Sequence, residues 1–523
     1  MGREFNVTGI CNPEWHYMAE TTAKLNKIIG LIEKRKYFTI NRPRQYGKST
    51  SLVLLQRRLE EDYLVLRFSL ERVSKESYRD LNALARTLYL LFKEGITKAK
   101  ATTLLPVLDG IKQVEDALEL SWCITELCEA SNKEIILLID EVDDGTNNDV
   151  FLRFLSILRD KYNERNAEGT PTFKSVILAG VHDVKNLHFK VTGREEFRKN
   201  SPWNIATNFT IDMELDVIEI RSLLEDYLSE HSEIEIDIDL IANRIHYFTS
   251  GYPFLVSYLC KHVEENFEGV CKWNEHNLEQ AVNQILDSDN TNFDSLIKNL
   301  ENHEDLYRLV KQIVLEGRQF RYSSDASAIQ KGRLYGILAP NDRGTAKIHN
   351  PIYEMRIYNY LTERLQTEVS QAMPTNHTSS TYINPDGSLN MELAFENYSM
   401  HLKSLYDDGQ DAFVEKNARL LFGIFMKTII NGIGFFLPES QIADRLRPDI
   451  TITYNRFKYL VELKIWDGDQ YYKKSIEQLY GYLLREGLNT GYLLFHDFRK
   501  VRHQRFTHDT INKDGKTIHT YFV

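Results

Sequence analysis

A short apolar segment of the chain runs into a loop whose residue types suit the binding of a phosphate group. The segment 38–40 is followed by Asn-Arg-Pro-Arg-Gln-Tyr and then by Gly47-Lys48-Ser49-Thr50. In such a loop Gly47 lets the backbone approach a phosphate, Lys48 reaches the β and γ oxygens, and the Ser49 hydroxyl can ligate Mg²⁺. The pattern therefore predicts a site for ATP with Mg²⁺. The residues with this predicted role are Arg42, Pro43, Arg44, Gln45, Tyr46, Gly47, Lys48, Ser49 and Thr50.

The loop departs from the G-x-x-x-x-G-K-[ST] pattern at one position, because Arg42 stands where the first glycine would be. Taken alone, the partial pattern leaves open a second interpretation, in which Lys48 only begins a helix. A second motif favours the nucleotide site. Residues 135–139 are an apolar run too short for a typical helix, and they end in Asp140 and Glu141, as in a buried parallel strand. Such a strand would deliver Asp140 to Mg²⁺ and Glu141 to a water molecule.

Apolar segments alternate with helical patterns through the first 180 residues. Segments 63–70 and 175–181 have the composition of buried strands, and a long helical stretch spans about 77–130. This alternation predicts an α/β fold with a parallel sheet. His182 follows the segment 175–181, and a polar residue at the end of that strand would sense the γ-phosphate.

The composition is that of a globular protein with more than one core. The chain has 523 residues and a mass of 61.1 kDa, 42% of its residues are hydrophobic, and two or three domains are expected. No apolar run approaches the 18 or so residues of a membrane span, and the first residues lack the apolar stretch of a signal peptide. We therefore expect no membrane partner and a cytoplasmic protein. The five cysteines form no C-x-x-C pair, so neither a disulfide framework nor a zinc knuckle is expected.

The net charge of −11 argues against a protein coated with basic surface, but the charge is unevenly distributed. Residues 441–523 contain 14 Lys and Arg against 10 Asp and Glu. Within them lies a basic cluster that could bind backbone phosphates or could simply be a solvated face. The cluster consists of Arg499, Lys500, Arg502 and Arg505.

A second set of chemically competent residues lies in this basic part of the chain. Residues 447–454 and 458–465 read as two strands of a hairpin, so Glu462 and Lys464 share one face and Asp449 can approach the same edge. Two carboxylates beside an ammonium could hold a divalent cation, activate a water and stabilise a phosphorane-like transition state. The alternative is a polar hairpin with a surface Glu-x-Lys pair.

Several motifs in the first 365 residues together resemble the bacterial AAA-ATPase-like family, which is related to the archaeal-type and STAND ATPases. They are the Asn-Arg-Pro-Arg-Gln-Tyr-Gly-Lys loop, the Leu-Ile-Asp-Glu-Val-Asp strand, the Ala-Gly-Val-His-Asp-Val-Lys-Asn-Leu stretch, Asn-Ser-Pro-Trp-Asn at 200–204 and Gly-Tyr-Pro at 251–253. The resemblance implies a helical lid and a winged-helix segment. The family commonly has Arg-Pro-Arg in its loop, so Arg42 does not depart from the family.

The C-terminal hairpin is similar to the PD-(D/E)XK nuclease superfamily, through Pro-Asp at 448–449 followed by Glu-x-Lys at 462–464. Gln478 and Tyr482 match the Q-x-x-x-Y element of its RecB-like exonuclease branch. Glu415 resembles the acidic residue that the superfamily often supplies from its first helix, and is equally an ordinary surface acid. The resemblance implies a nuclease dependent on Mg²⁺ or Mn²⁺ that acts on DNA rather than RNA. Its implied site residues are Asp449, Glu462, Lys464, Gln478 and Tyr482, with Glu415 as a further metal ligand.

The two resemblances predict four regions: an ATPase core at 1–215, a lid with a winged helix at 216–365, a polar linker at 366–395 and a nuclease domain at 396–523. The leading hypothesis is a homo-oligomeric nuclease controlled by ATP, with a role in defence against foreign genetic elements implied by family analogy. The alternative is a STAND-like switch that binds ATP, oligomerises and grips nucleic acid without cutting it.

Overall fold

The chain folds into two compact units, as seen in a computed structural model. One unit comprises residues 1–246 and 251–271, and the other comprises 247–250 and 272–523. The structure describes residues 2–146, 148–181, 189–191, 194–196, 203–316, 318–323, 325–369, 379–407, 421–426, 429–430, 434–438, 449–454, 457–497 and 506–523.

A parallel sheet of four strands organises the first unit, as the alternating pattern predicts. The strand order is β1-β4-β3-β2, and every neighbouring pair is parallel. All four carboxyl ends therefore meet at one edge, where the predicted phosphate loop and the acidic pair both begin. The strands are β1 (Phe38–Asn41), β2 (Leu64–Ser69), β3 (Ile135–Asp140) and β4 (Ser175–Gly180).

Both faces of this sheet are covered by helices, because its strands are apolar on both sides. On β3, Leu137 and Ile139 belong to one core, whereas Ile136 and Leu138 belong to the core on the opposite face. The helical stretch predicted at 77–130 is interrupted by turns. The helices are α1 (Thr22–Glu33), α2 (Lys48–Leu59), α3 (Leu81–Lys98), α4 (Leu105–Leu108), α5 (Ala117–Ala130), α6 (Asp143–Thr146) and α7 (Asp149–Glu168), with 3₁₀ turns at Lys75–Tyr78, Thr102–Leu104 and Asp109–Gln113.

The chain leaves the sheet through a small hairpin, β5 (Phe189–Val191) and β6 (Arg194–Glu196), and returns to it at Trp203. The indole of Trp203 is fully buried and donates a hydrogen bond to Thr39 Oγ1 on β1, at 3.0 Å. Trp203 therefore anchors the returning chain to the strand that precedes the phosphate loop. Three helices follow: α8 (Val217–Leu228), α9 (Ile238–Thr249) and α10 (Pro253–Asn266).

The second unit begins with helices and a short antiparallel hairpin, β7 (Leu338–Pro340) and β8 (Ala346–Ile348). This hairpin lies within the range 216–365, for which a lid with a winged helix was predicted, and the winged helix stays a prediction. Gly332, in the helix before the hairpin, packs closely against Leu338 of β7. A Cβ on Gly332 would lie 2.4 Å from the Leu338 side chain, so the glycine allows the hairpin to pack on that helix. The helices are α11 (Glu275–Asp287), α12 (Thr291–Asn302), α13 (Glu304–Glu316), α14 (Ser327–Leu334) and α15 (Pro351–Val369).

A mixed sheet of six strands, in the order β13-β14-β12-β11-β10-β9, forms the C-terminal part of the second unit. The predicted hairpin is its β10-β11 pair. Residues 491–495 have the apolar composition of a strand that would close this sheet, but they lie in its interior, because a final hairpin of β13 and β14 continues the sheet beyond them. The elements are α16 (Met391–Asp407), β9 (Gly434–Pro438), β10 (Ile450–Tyr454), β11 (Phe457–Ile465), α17 (Asp469–Arg485), β12 (Thr490–His496), β13 (Thr507–Lys513) and β14 (Lys516–Phe522).

The range predicted as a linker, 366–395, includes residues with secondary structure and buried side chains. Helix α15 continues to residue 369, a 3₁₀ turn spans Ser379–Tyr382, and α16 begins at Met391. Tyr382 and Leu389 are buried, and the Leu389 amide donates to the Tyr459 hydroxyl on β11 at 2.7 Å. These contacts attach residues 382–389 to the C-terminal sheet. The four domain boundaries stay a prediction.

We predict that Gly251→Ala destabilises the first unit more than Gly169→Ala does. Both glycines have a left-handed backbone, which costs an alanine about 1–2 kcal/mol. A Cβ on Gly251 would also collide with the Leu215 carbonyl oxygen, whereas nothing lies within 4 Å of one on Gly169. We therefore expect a further loss of about 1–3 kcal/mol for the first variant. Urea denaturation followed by tryptophan fluorescence measures both, and equal losses would contradict the packing at Gly251.

Candidate functional site

The predicted phosphate loop connects β1 to α2 through a backbone that turns sharply at two left-handed residues. Gln45 has φ 59°, and Gly47, which caps the helix, has φ 73°. Helix α2 begins at Lys48, so its free N–H groups and the positive end of its dipole lie at the loop. The backbone has the local chemistry of an anion site.

The ammonium of Lys48 is buried in this loop, where its hydrogen bonds within the described part of the chain go to backbone oxygens. It donates to the carbonyl oxygens of Arg42 and Pro43, at 2.9 and 2.8 Å. Burial lowers the pKa of Lys48, and the attraction of Glu141, Asp143 and Asp140 opposes that shift. An anionic phosphate would provide a stronger partner than a neutral carbonyl.

Arg42 shows why a glycine is not required at its position. Its φ is not left-handed, and its side chain leaves the loop: the guanidinium donates to the carbonyls of Asn41 and Ile211, at 2.9 and 2.8 Å. It also lies over the ring of Phe209, 5.3 Å from its centroid. Arg42 therefore secures the segment 209–211 to the end of β1.

The Gly-Tyr-Pro turn at 251–253 braces the loop from the other side. The hydroxyl of Tyr252 donates to the Arg44 carbonyl at 2.6 Å, and its ring packs edge-on against Tyr46, with centroids 4.4 Å apart. The Tyr46 hydroxyl in turn donates to Glu214 Oε1 at 3.0 Å. The sequence marked this turn as a family feature, but its contact with the loop spans more than 200 residues and was not predicted.

The last two loop residues have different surroundings. Thr50 Oγ1 accepts a hydrogen bond from the Cys11 amide at 3.1 Å, so this hydroxyl holds the N-terminal segment against α2. Ser49 is half-buried in the first turn of the helix. Of the two hydroxyls, Ser49 is the one the fold leaves available for Mg²⁺.

The acidic pair stands at the same sheet edge as the loop. Asp140 is the last residue of β3 and is 4% exposed. Glu141 has φ 51°, and its amide donates to Asp140 Oδ1 at 3.0 Å. Burial raises the pKa of Glu141, and the nearby Lys48 ammonium lowers it. The two carboxylates and the ammonium therefore lie within electrostatic range of one another.

Asp143 is a residue of this edge that the sequence did not single out. Its Oδ2 accepts a hydrogen bond from the Val181 amide at 2.6 Å, just beyond the end of β4. A Cβ on Gly180 would lie 2.8 Å from Val142 Cγ2, so the turn after β3 approaches β4 closely. Four of the five residues at 140–144 are acids, which was the sequence signal for a further acidic group here. Which of these acids contacts β4 depends on the turn and could not be predicted.

The second candidate site is assembled by the β10-β11 hairpin. The Asp449 amide donates to Glu462 Oε1 at 3.1 Å, and the Leu463 amide donates to Asp449 Oδ2 at 3.0 Å. Lys464 Nζ lies 3.1 Å from Asp449 Oδ2 and 2.5 Å from Glu462 Oε2. All three charged side chains are buried, and Glu462 is 0% exposed. The alternative of a surface Glu-x-Lys pair is wrong.

Burial dominates the electrostatics of this triad. It raises the pKa of Glu462, and the neighbouring Asp449 carboxylate raises it further. Burial lowers the pKa of Lys464, but the attraction of Asp449 and Glu462 outweighs this effect, so the net pKa of Lys464 is raised. Lys464 therefore stays protonated in contact with the two acids.

Gln478 and Tyr482 lie on one face of α17, and Tyr482 is within electrostatic range of the triad. Gln478 Nε2 donates to the Tyr482 hydroxyl at 2.6 Å, as four-residue spacing on a helix permits. Tyr482 is buried in the core between α17 and the sheet, and so is Leu460, which shares a strand face with Glu462. The pKa of Tyr482 is raised mainly by burial, with a contribution from Glu462.

The donor set of the triad suits a hard divalent cation. Glu462 Oε2 is buried and has no aligned hydrogen bond, and the Asp449 carboxylate is aimed at the same point. Carboxylate oxygens are the ligands that Mg²⁺ and Mn²⁺ prefer. No group of three or more His, Cys, Asp or Glu side chains that could hold a metal exists in the described part of the chain. A metal here would rest on these two carboxylates.

Several predicted residues lie outside the described residues. These are His182, Glu415, Pro448 and the basic cluster Arg499, Lys500, Arg502 and Arg505. Their predicted roles stay predictions. Among the described helices, none is long and apolar enough to cross a membrane.

No protein-family model and no curated protein match the chain. Among solved structures, it is similar to a Walker-type ATPase of Pyrococcus abyssi, with 13% identity, 68% of this chain and 99% of that chain covered, and a TM-score of 0.45. It is also similar to the Aeropyrum pernix ORC1 protein in complex with DNA (12% identity, 68% and 95% covered, TM-score 0.29). The ADP form of the Aeropyrum pernix ORC2 protein gives 12% identity, 69% and 97% coverage and a TM-score of 0.36. All three TM-scores are below 0.5, so the function proposed below rests on contacts within this chain.

We predict that Arg42→Gly destabilises the first unit by about 1–2 kcal/mol and leaves ATP affinity within about threefold of wild type. The loss comes from the hydrogen bond to Ile211 and the contact with Phe209. Arg44→Gly, in the same loop but with an exposed side chain, is the stability control. Denaturation and nucleotide titration measure the two effects. A large gain in affinity for Arg42→Gly would show that Arg42 obstructs the phosphate site.

Proposed function

We propose that the chain binds and hydrolyses ATP and carries a metal-dependent nuclease site that cleaves DNA under the control of the bound nucleotide. The observation that supports the proposal is that the charged residues of each predicted site lie close together in the fold. Lys48 lies within electrostatic range of Asp140 and Glu141, and Lys464 touches both Asp449 and Glu462. The preference for DNA and a role in defence follow from the family resemblances alone.

At the first site, each residue has a defined task toward ATP. The N–H groups at the start of α2 bind phosphate oxygens, and Lys48 exchanges its two carbonyl partners for the β and γ oxygens. Mg²⁺, when bound through Ser49 and Asp140, neutralises phosphate charge. Glu141 orients the attacking water, and its left-handed backbone, with φ 51°, is a strained conformation of the kind found at functional sites.

At the second site, Asp449 and Glu462 would hold Mg²⁺ or Mn²⁺, which supplies Lewis-acid activation of a water. Lys464 stabilises the charge that develops on the phosphate in the transition state. Gln478 and Tyr482 border the triad on α17, where their polar groups can orient a nucleotide phosphate. A STAND-like switch that binds nucleic acid without cutting is the second candidate. This candidate is favoured by the direct ion pairs of Lys464 with both acids, because a purely structural salt bridge would show the same distances.

We predict that Lys48→Ala weakens ATP binding by about 10- to 150-fold, since a charge-assisted hydrogen bond contributes roughly 1.5–3 kcal/mol. Glu141→Gln should bind ATP normally and lose turnover, because it keeps the shape of the side chain without its charge. Lys98→Ala, an exposed lysine of α3, is the control. Titration with labelled nucleotide measures the affinities. Equal affinity of Lys48→Ala and wild type would remove the phosphate-loop assignment.

We predict that Asp449→Ala and Glu462→Ala each abolish cleavage of labelled DNA and weaken the binding of Mn²⁺, because each removes a ligand. Asp469→Ala, at an exposed position in the first turn of α17, should retain both properties. Calorimetric titration with Mn²⁺ and a gel assay of cleavage are the measurements. Unchanged metal affinity in both ligand variants would show that the hairpin is not the metal site.

A further inference from the structure

The ammonium of Lys464 occupies the point at which two buried carboxylates converge. Its Nζ lies 3.1 Å from Asp449 Oδ2 and 2.5 Å from Glu462 Oε2, and all three side chains are less than 9% exposed. These two oxygens are the ones that a metal would use. Among the described residues, the Lys464 ammonium is the cation that contacts both of these oxygens.

We infer that Lys464 is a built-in counterion that occupies the metal position, so that a divalent cation binds only when the Lys464 side chain withdraws from Asp449 and Glu462. This inference rests on the proposed nuclease site and goes beyond it, because it assigns Lys464 a role in setting metal affinity. It concerns the resting state of the site and not the chemical step.

Two physical constraints support the exchange. Mg²⁺ requires oxygen ligands at about 2.0–2.1 Å in a nearly octahedral arrangement, and an ammonium that lies between these two oxygens competes for the same position. A divalent cation and an ammonium a few ångströms apart also repel each other strongly where water is excluded. The same burial explains why Lys464 remains in place without metal, because two adjacent buried carboxylates without a cation would be strongly destabilising.

The exchange links metal binding to the binding of nucleic acid. Once displaced, the Lys464 ammonium has lost its two acidic partners and would be stabilised by a new anion. A backbone phosphate of the substrate is an anion of suitable charge. Substrate should therefore raise metal affinity, and by thermodynamic reciprocity metal should raise substrate affinity by the same factor. Without substrate, the site should bind metal weakly.

The test is Mn²⁺ titration of the full-length protein, followed by electron paramagnetic resonance of free Mn²⁺. Lys464→Met removes the charge and keeps the length of the side chain, and we expect it to bind Mn²⁺ at least tenfold more tightly than wild type. Lys464→Arg keeps the positive charge and should bind as weakly as wild type. The control is Lys458→Met, on the same strand, where the lysine pairs with Glu486 at the surface and its loss should change nothing.

A second titration distinguishes a real change in metal affinity from misfolding of the variant. A phosphorothioate DNA oligonucleotide that resists cleavage should tighten Mn²⁺ binding to wild type several-fold and should have less effect on Lys464→Met. If Mn²⁺ binding is lost in Asp449→Ala but is unchanged or weaker in Lys464→Met, the counterion role is wrong and the metal site stands. If neither wild type nor Lys464→Met binds Mn²⁺, both the counterion role and the metal site fail.

Discussion

Removing a lysine ammonium from water costs several kcal/mol unless protein oxygens replace its hydration. Both candidate sites depend on this constraint. Lys48 is held by two loop carbonyls and by the field of acids at the sheet edge, whereas Lys464 is held by two carboxylates in direct contact. Local backbone structure positions the partners in each case. A tight loop before a helix positions the carbonyls around Lys48, and two adjacent strands of a hairpin position the acids around Lys464. The rest of each site is arranged around that ammonium.

The difference between the two sets of partners has a functional consequence. Carbonyls are neutral, so an incoming phosphate can replace them without leaving a buried charge unpaired. Lys464 instead contacts two acids directly, so its withdrawal would leave negative charge buried unless another cation arrived. The contacts of the first site therefore suit an incoming anion and those of the second an incoming cation, as the proposed nucleotide and metal require.

The sequence predicted the features that depend on local periodicity. Short apolar runs gave the parallel strands, and the two-residue period placed Glu462 and Lys464 on one face, with Asp449 beside them. Four-residue spacing likewise placed Gln478 next to Tyr482. These relations involve residues that are close along one strand, one hairpin or one helix, where backbone geometry alone decides which side chains meet.

Contacts between distant segments could not be obtained in this way. The brace of Tyr252 on the Arg44 carbonyl and the path of Arg42 toward Ile211 depend on where the chain returns after long excursions. The β13-β14 hairpin was missed because β13 is a polar edge strand, with most of its residues exposed, and so lacks an apolar signal. The polar composition of residues 366–395 likewise predicted a linker, so the burial of Tyr382 and Leu389 was not expected.

Control of the proposed nuclease site by nucleotide bound at the first site requires that the nucleotide states differ in how they affect cleavage. The most direct measurement is the rate at which the full-length protein, with Mg²⁺, cleaves labelled DNA in the presence of ATP, of ADP or of no nucleotide. Nucleotide control predicts rates that differ several-fold between these states in wild type and that no longer respond to ATP in Lys48→Ala. Equal rates in all three states of the wild-type protein would contradict it.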